Sequence, residues 1–172
     1  MTVLPEDLQR ALRLLKLWRT VRPGTHWLGL PTDVLQGAGL VHEVLTALGP
    51  GLVLSPAGSR LLGKHHTLPS ETVVANTLYQ QDSWPVLKDL GFDLLSPGKS
   101  PYRNVRKAGR YSPLLGRFTG HGYDDKTVEH HWRKLEPDLL SRGAELIILH
   151  PCPERLTQRP KLRIVPVLPR WQ

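Results

Sequence analysis

The stretch "GLVHEVLTALGPGLVLSPAGSRLLG", Gly39 to Gly63, decides how the first part of the chain folds. Val41, Glu43 and Leu45 alternate with His42, Val44 and Thr46, the period of a strand with two different faces. Gly49-Pro50-Gly51 reads as the turn, and Leu52, Val53 and Leu54 as a return strand. Ser55-Pro56 then opens a helix, because serine caps orphan N–H groups and proline suits a first helical turn. Val41, Val44, Leu45 and Leu48 also fit a helical period, but the turn and the second apolar run select the strand.

Working outward, the residues before this stretch form an amphipathic helix. Pro5 suits its start, and Glu6 and Asp7 favour its N-terminal dipole. Leu8, Ala11, Leu12, Leu15 and Trp18 recur at helical spacing, with Arg10, Arg13 and Lys16 on the other side. Arg22-Pro23-Gly24 ends it, and Pro31 to Gln36 reads as one short helix. After the hairpin, Ser70 caps a helix that turns Val73, Val74, Thr77 and Leu78 inward. A short helix follows in "SWPVLKDLG", then a loop-rich tract from Leu94 to Tyr123. The segment "YDDKTVEHHWRKLEPDLLSRG" has acids at its start and Gly143 past its end, a long helix interrupted by Pro137. "AELIILH" reads as a buried strand, "CPERLTQ" as a short helix and "KLRIVPVLP" as a last strand. The expected fold class is α+β: residues 1–66 as one domain, 67–123 as a helical and basic loop connection, and 124–172 as a small α/β unit.

The chain has 172 residues, a net charge of +8 and a pI near 10. That balance points to a polyanionic partner, nucleic acid first. The positive charge is blocked. No acid lies between Asp7 and Asp33, where Arg10, Arg13, Lys16, Arg19 and Arg22 occur. None lies between Asp93 and Asp124, where Lys99, Arg103, Arg106, Lys107, Arg110 and Arg117 occur with Tyr102 and Tyr111 between them. Guanidinium groups bind phosphate, and tyrosine stacks on unpaired bases or donates to phosphate, which leaves single-stranded DNA as the alternative to a duplex. Arg155, Arg159, Lys161, Arg163 and Arg170 form a third block after Glu154. Cys152 is the one cysteine, so no intrachain disulfide forms, and no stretch of the sequence has the length and apolarity of a membrane span. The expectation is a cytoplasmic, nucleoid-associated protein.

The phrases Leu35-Gln36-Gly37-Ala38-Gly39-Leu40-Val41 and Leu54-Ser55-Pro56-Ala57-Gly58 flank the hairpin. Over roughly the first 65 residues, helix, short helix, hairpin and helix in this order resemble the winged helix-turn-helix arrangement. The sequence looks most like the bacterial replication-relaxation group. The resemblance implies duplex DNA binding by a regulator or a replication- or repair-associated protein, with a helix in the groove and the hairpin as a wing. A dimer is also implied. Thr25, His26, Thr32 and Gln36 become candidate groove contacts. Arg10, Arg13, Arg19, Arg22, Arg60 and Lys64 become backbone contacts beside them, and the block from Lys99 to Arg117 extends the footprint. The departure is the middle segment: Val21 to Gly37 is broken by Pro23, Gly24, Gly29 and Pro31, which leaves little room for the usual two helices.

Catalysis has two candidate clusters. His121, Asp124, Asp125, Glu129, His130 and His131 carry metal-ligand chemistry, with Asp125 and Glu129 one turn apart. A restriction-type nuclease wants an acid and then an acid-any-Lys on the next strand, and Glu145 lacks that lysine. His150 and Cys152 follow a buried strand and offer a nucleophile pair. The plainer readings are a helix N-terminus and a rigid strand-to-helix junction. The expectation is a non-catalytic DNA-binding protein without metal or cofactor. A metal-dependent nuclease and a protein-interaction module with a degenerate winged helix are the alternatives.

Overall fold

The structure, a computed structural model, describes residues 5–24, 31–95, 103–117 and 122–169. It is mixed α and β with two sheets. The chain falls into two compact units, Met1–Leu78 and Tyr79–Arg170. Residues 67–78 fall in the first unit and 79–123 in the second.

In unit 1, helix α1 (Glu6–Trp18) buries Ala11, Leu12, Leu15 and Trp18, the stripe its period dictates. Arg19 ends it in a left-handed conformation, φ 70°. Val21 then forms an isolated antiparallel bridge to Leu52, with both N–H···O bonds made. Helix α2 (Thr32–Gly37) is short. Strands β1 (Val41–Thr46) and β2 (Gly49–Leu54) pair antiparallel from Val41↔Leu54 to Thr46↔Gly49.

The turn lies earlier than the Gly-Pro-Gly signal suggests. Ala47 and Leu48 form it, and Thr46 closes it, its Oγ1 accepting from Leu48 N–H at 3.1 Å and donating to the Gly49 carbonyl at 2.7 Å. Gly49-Pro50-Gly51 is strand. Gly51 is needed for space: a Cβ there would lie 2.6 Å from Thr20 Oγ1 and 2.7 Å from Val74 Cγ1. The hairpin is covered on both faces. Leu52 and Leu54 join the α1 cluster, while Val53 packs with Val74 and Leu78 of helix α4 (Glu71–Asp82). Two covered faces explain why β2 is an unbroken apolar run. Val73 is only half-buried.

Helix α3 (Pro56–Leu61) starts from Ser55. The Ser55 hydroxyl accepts from Gly58 N–H at 3.1 Å and donates to the Gly39 carbonyl at 2.7 Å, while Ser55 N–H donates to the Leu40 carbonyl at 3.0 Å. The two phrases that flank the hairpin are thus bonded to each other. A Cβ at position 58 would overlap the Leu40 carbonyl oxygen, which fixes Gly58.

Unit 2 is a five-stranded sheet in the order β3-β4-β5-β6-β7. Helix α5 (Trp84–Asp89) precedes β3 (Asp93–Leu94), β4 (Arg103–Lys107) and β5 (Arg110–Gly116), an antiparallel meander. Helix α6 (Asp125–Arg142) crosses to β6 (Leu146–His150), parallel to β5, and β7 (Leu162–Pro166) is parallel to β6. The tract expected to be loop thus supplies two strands, hidden because charge and Pro113 break their apolar alternation. "CPERLTQ" forms only a 3₁₀ turn at Pro153–Arg155. α6 runs through Pro137 and ends at Gly143, which is left-handed at φ 61°. Leu115, Val128, Leu139, Leu146, Ile148 and Leu162 form the core between sheet and helix.

Two stability outcomes follow from these backbones. Gly58→Ala should lower unfolding stability by about 2 kcal/mol, because the added methyl meets a backbone oxygen that cannot rotate away; urea unfolding measures it. The β4–β5 turn has Ala108 at φ 49° and Gly109 at φ 75°, both left-handed. Ala108→Gly should therefore stabilise by about 0.5–1 kcal/mol, and an unchanged or lowered melting temperature would contradict the strain.

Candidate nucleic-acid interface

Unit 1 presents cations on α1 and α3. Arg10, Arg13 and Lys16 are exposed opposite the buried stripe, and Arg19 is exposed just beyond it. Arg60, Lys64 and Gln36 are exposed as well. Two expected contacts are corrected. Arg22 is buried at 7% exposure and its guanidinium donates to the Leu48 carbonyl at 2.6 Å, so it ties the hairpin tip instead of reaching outward. Thr32 is buried, and its Oγ1 accepts from Gly24 N–H at 3.1 Å. Thr25 and His26 lie outside the described residues. The hairpin itself carries no lysine or arginine, only His42 and Glu43 among its charged or titratable residues, and its Leu45 is exposed.

Unit 2 brings the second and third basic blocks together at one end of its sheet. Lys107 Nζ lies 5.1 Å from the centre of the Phe92 ring and the Arg163 guanidinium lies 5.6 Å from it. Arg110 donates to the Gly143 carbonyl at 3.3 Å, at the C-terminus of α6. Arg142 donates to the Tyr111 carbonyl at 3.2 Å and pairs with Asp138. Lys161 is exposed one residue before β7, its carbonyl accepting from Leu146 N–H at 2.8 Å. Arg142 was missed from sequence because it belongs to no basic run; only the fold brings it to Tyr111.

Some of these cations are committed. Arg163 grips Glu145 through Nε at 2.6 Å and holds that carboxyl below its usual range, chiefly by this hydrogen bond. Arg106 lies 3.9 Å from Asp93. Lys107, Arg110 and Lys161 have no carboxylate within ion-pair distance among the described residues. Arg103 is half-buried at the start of β4, and Arg117 is exposed, 5.9 Å from the centre of the Tyr123 ring. Lys99 and Tyr102 lie outside the described residues.

The carboxylates of the would-be metal cluster do structural work. Asp124 caps α6, accepting from Thr127 N–H at 2.7 Å, and that bond lowers its pKa. Asp125 receives both terminal nitrogens of Arg159 at 3.0 and 2.9 Å, plus Thr157 N–H at 2.7 Å and Thr157 Oγ1 at 3.0 Å. Glu129 pairs with Arg133. No group of three potential ligands that could hold a metal ion occurs among the described residues, and His121 lies outside them.

The His150–Cys152 pair is also a junction. Cys152 N–H donates to His150 Nδ1 at 2.9 Å. The ring proton therefore sits on Nε2, donated to the Tyr123 carbonyl at 2.9 Å. Both nitrogens are spent on backbone, and neither is bonded to the thiol.

Compared with family models, curated proteins and solved structures, the chain matches none. No helix among the described residues is long and apolar enough to cross a membrane.

The Asp125–Arg159 fork sets an acid limit. Asp125 titrates at about 2 in the fold, pulled down first by its Arg159 hydrogen bonds and then by Thr157 N–H. Its unfolded value is about 3.9. A lowered folded pKa gives stability that is complete above the unfolded value and lost as pH falls towards the folded one. Asp125→Asn should be less stable than the parent at pH 6, with the two urea midpoints converging towards pH 2; parallel curves would refute the assignment.

Proposed function

We propose that the protein is a non-catalytic DNA-binding protein, a regulator or replication- or repair-associated factor. It engages duplex DNA through the basic surfaces of both units, with unit 1 acting as a shortened winged helix. The observation that carries the reading is the outward row Arg10, Arg13 and Lys16 on a helix whose other face is the core of unit 1. Cations fixed on a rigid element, with no ion pair among the described residues, suit a phosphate backbone.

The order α1, Val21–Leu52 bridge, α2 and hairpin supports the winged reading, since the bridge sets one residue of a third segment beside the wing. A wing without lysine or arginine shifts phosphate contact to α1 and α3. The commitment of Asp124, Asp125 and Glu129 to capping and arginine pairing favours binding over nuclease chemistry.

Fluorescence anisotropy with a random duplex across a salt series tests this. Affinity should fall as salt rises, and Arg10→Ala with Arg13→Ala should make the log–log slope shallower by about 2. A flat salt dependence, or no binding at low salt, would remove the DNA reading.

A further inference from the structure

The β4–β5 hairpin of unit 2 reaches past its neighbour. Pairing with β4 continues to Lys107↔Arg110, whereas pairing with β6 begins only at Leu114↔Ile147. Residues 107–110 are thus a two-stranded ribbon tip, and Arg106 and Tyr111 stand at its base, where β3 still pairs with β4 through Asp93↔Arg106. Arg106 and Tyr111 are direct cross-strand partners, so both side chains stand on the same face. Tyr111 is 49% exposed, and among the described residues no other Phe, Tyr or Trp falls in the exposed class. An aromatic ring left open to water, with Arg106 on its own face and Arg142 bonded to its backbone carbonyl, is a poor use of apolar surface unless something flat covers it.

We propose that this ribbon tip binds single-stranded nucleic acid, with Tyr111 as the platform for one unpaired base, Arg106 beside that base, and Arg110 and Lys161 at the flanking phosphates. Every base has a π-face, so stacking needs no sequence. A duplex hides its base faces and offers Tyr111 nothing to stack on. The unmatched cations Arg110 and Lys161 neutralise phosphate, and the guanidinium of Arg106 lies beside the stacking face for a cation–π contact with the base. The inference rests on the nucleic-acid reading above and adds to it the form of the ligand and the residue that selects it.

The test compares labelled oligo-dT with a duplex of equal length, using the full chain. Tyr111→Leu should weaken oligo-dT roughly five- to a hundred-fold and the duplex much less, while Tyr111→Phe stays close to the parent. Photo-crosslinking of iododeoxyuridine-substituted oligo-dT to the unmodified protein should place the adduct on Tyr111, a readout independent of how the variants fold. Duplex binding without oligo-dT binding overturns this inference and leaves the proposed function standing. Equal losses for both ligands, or an adduct elsewhere, also overturn it. Binding of neither oligonucleotide overturns both.

Discussion

Ser55 sits where the hairpin of unit 1 ends and α3 begins. Its hydroxyl serves the first turn of α3 through Gly58 N–H and the exit of α2 through the Gly39 carbonyl, and its own N–H takes the Leu40 carbonyl. One residue thus joins the two ends of β1–β2 and sets the entry of α3. Satisfying these groups is obligatory, because the site is buried and each orphaned polar atom would cost about 1–3 kcal/mol. Gly58 follows from the same closeness, as does the register that turns Leu52 and Leu54 towards α1 and Val53 towards α4. The remaining order of unit 1 depends on that alternation being right.

Unit 2 uses charge where unit 1 uses capping. The forks Arg159–Asp125 and Arg163–Glu145 both bind the β7 end of the chain, one to the start of α6 and one to the start of β6. Each carboxylate is only partly open to water, so the bidentate geometry has value that a flexible surface pair lacks. The acids that sequence reading weighed as metal ligands are therefore what locks the crossover, and the third basic block divides into cations that hold the fold and cations that do not.

Reading the sequence recovered α1, β1, α3, α4, α6 and β6, because each carries a clean period or a capped start. It misplaced the hairpin turn, since glycine signals equally a turn and a close approach, and only the packing of Val74 on Gly51 tells them apart. It left β4 and β5 as loop because Arg103, Arg106, Lys107 and Arg110 replace the apolar positions of an ordinary strand, and Val105↔Ser112 is the one β4–β5 pair with both residues buried. The basic site was half legible. Runs of arginine are visible in one dimension, but Arg22 is spent on Leu48 and Arg142 stands alone until α6 carries it to Tyr111. Conversely, nothing local marks His150 as structural; its role appears once the Tyr123 carbonyl and Cys152 N–H are seen on its two nitrogens.

The ribbon tip also carries a cost that bears on what it binds. Lys107 and Arg110 are direct cross-strand partners around a two-residue turn, and like charges so opposed destabilise a hairpin. The turn adds the strain of Ala108 in a left-handed conformation. Phe92 under Lys107 and the Gly143 carbonyl beside Arg110 relieve the repulsion in part, without a countercharge. An anion at the tip supplies that countercharge, so binding and hairpin stability are thermodynamically linked: any ligand that prefers the paired ribbon stabilises it by mass action. A neutral or cationic partner gives no such relief. The electrostatics of the turn thus favour an anion over a neutral or cationic ligand on grounds separate from net charge, because they concern two opposed residues and not the whole chain.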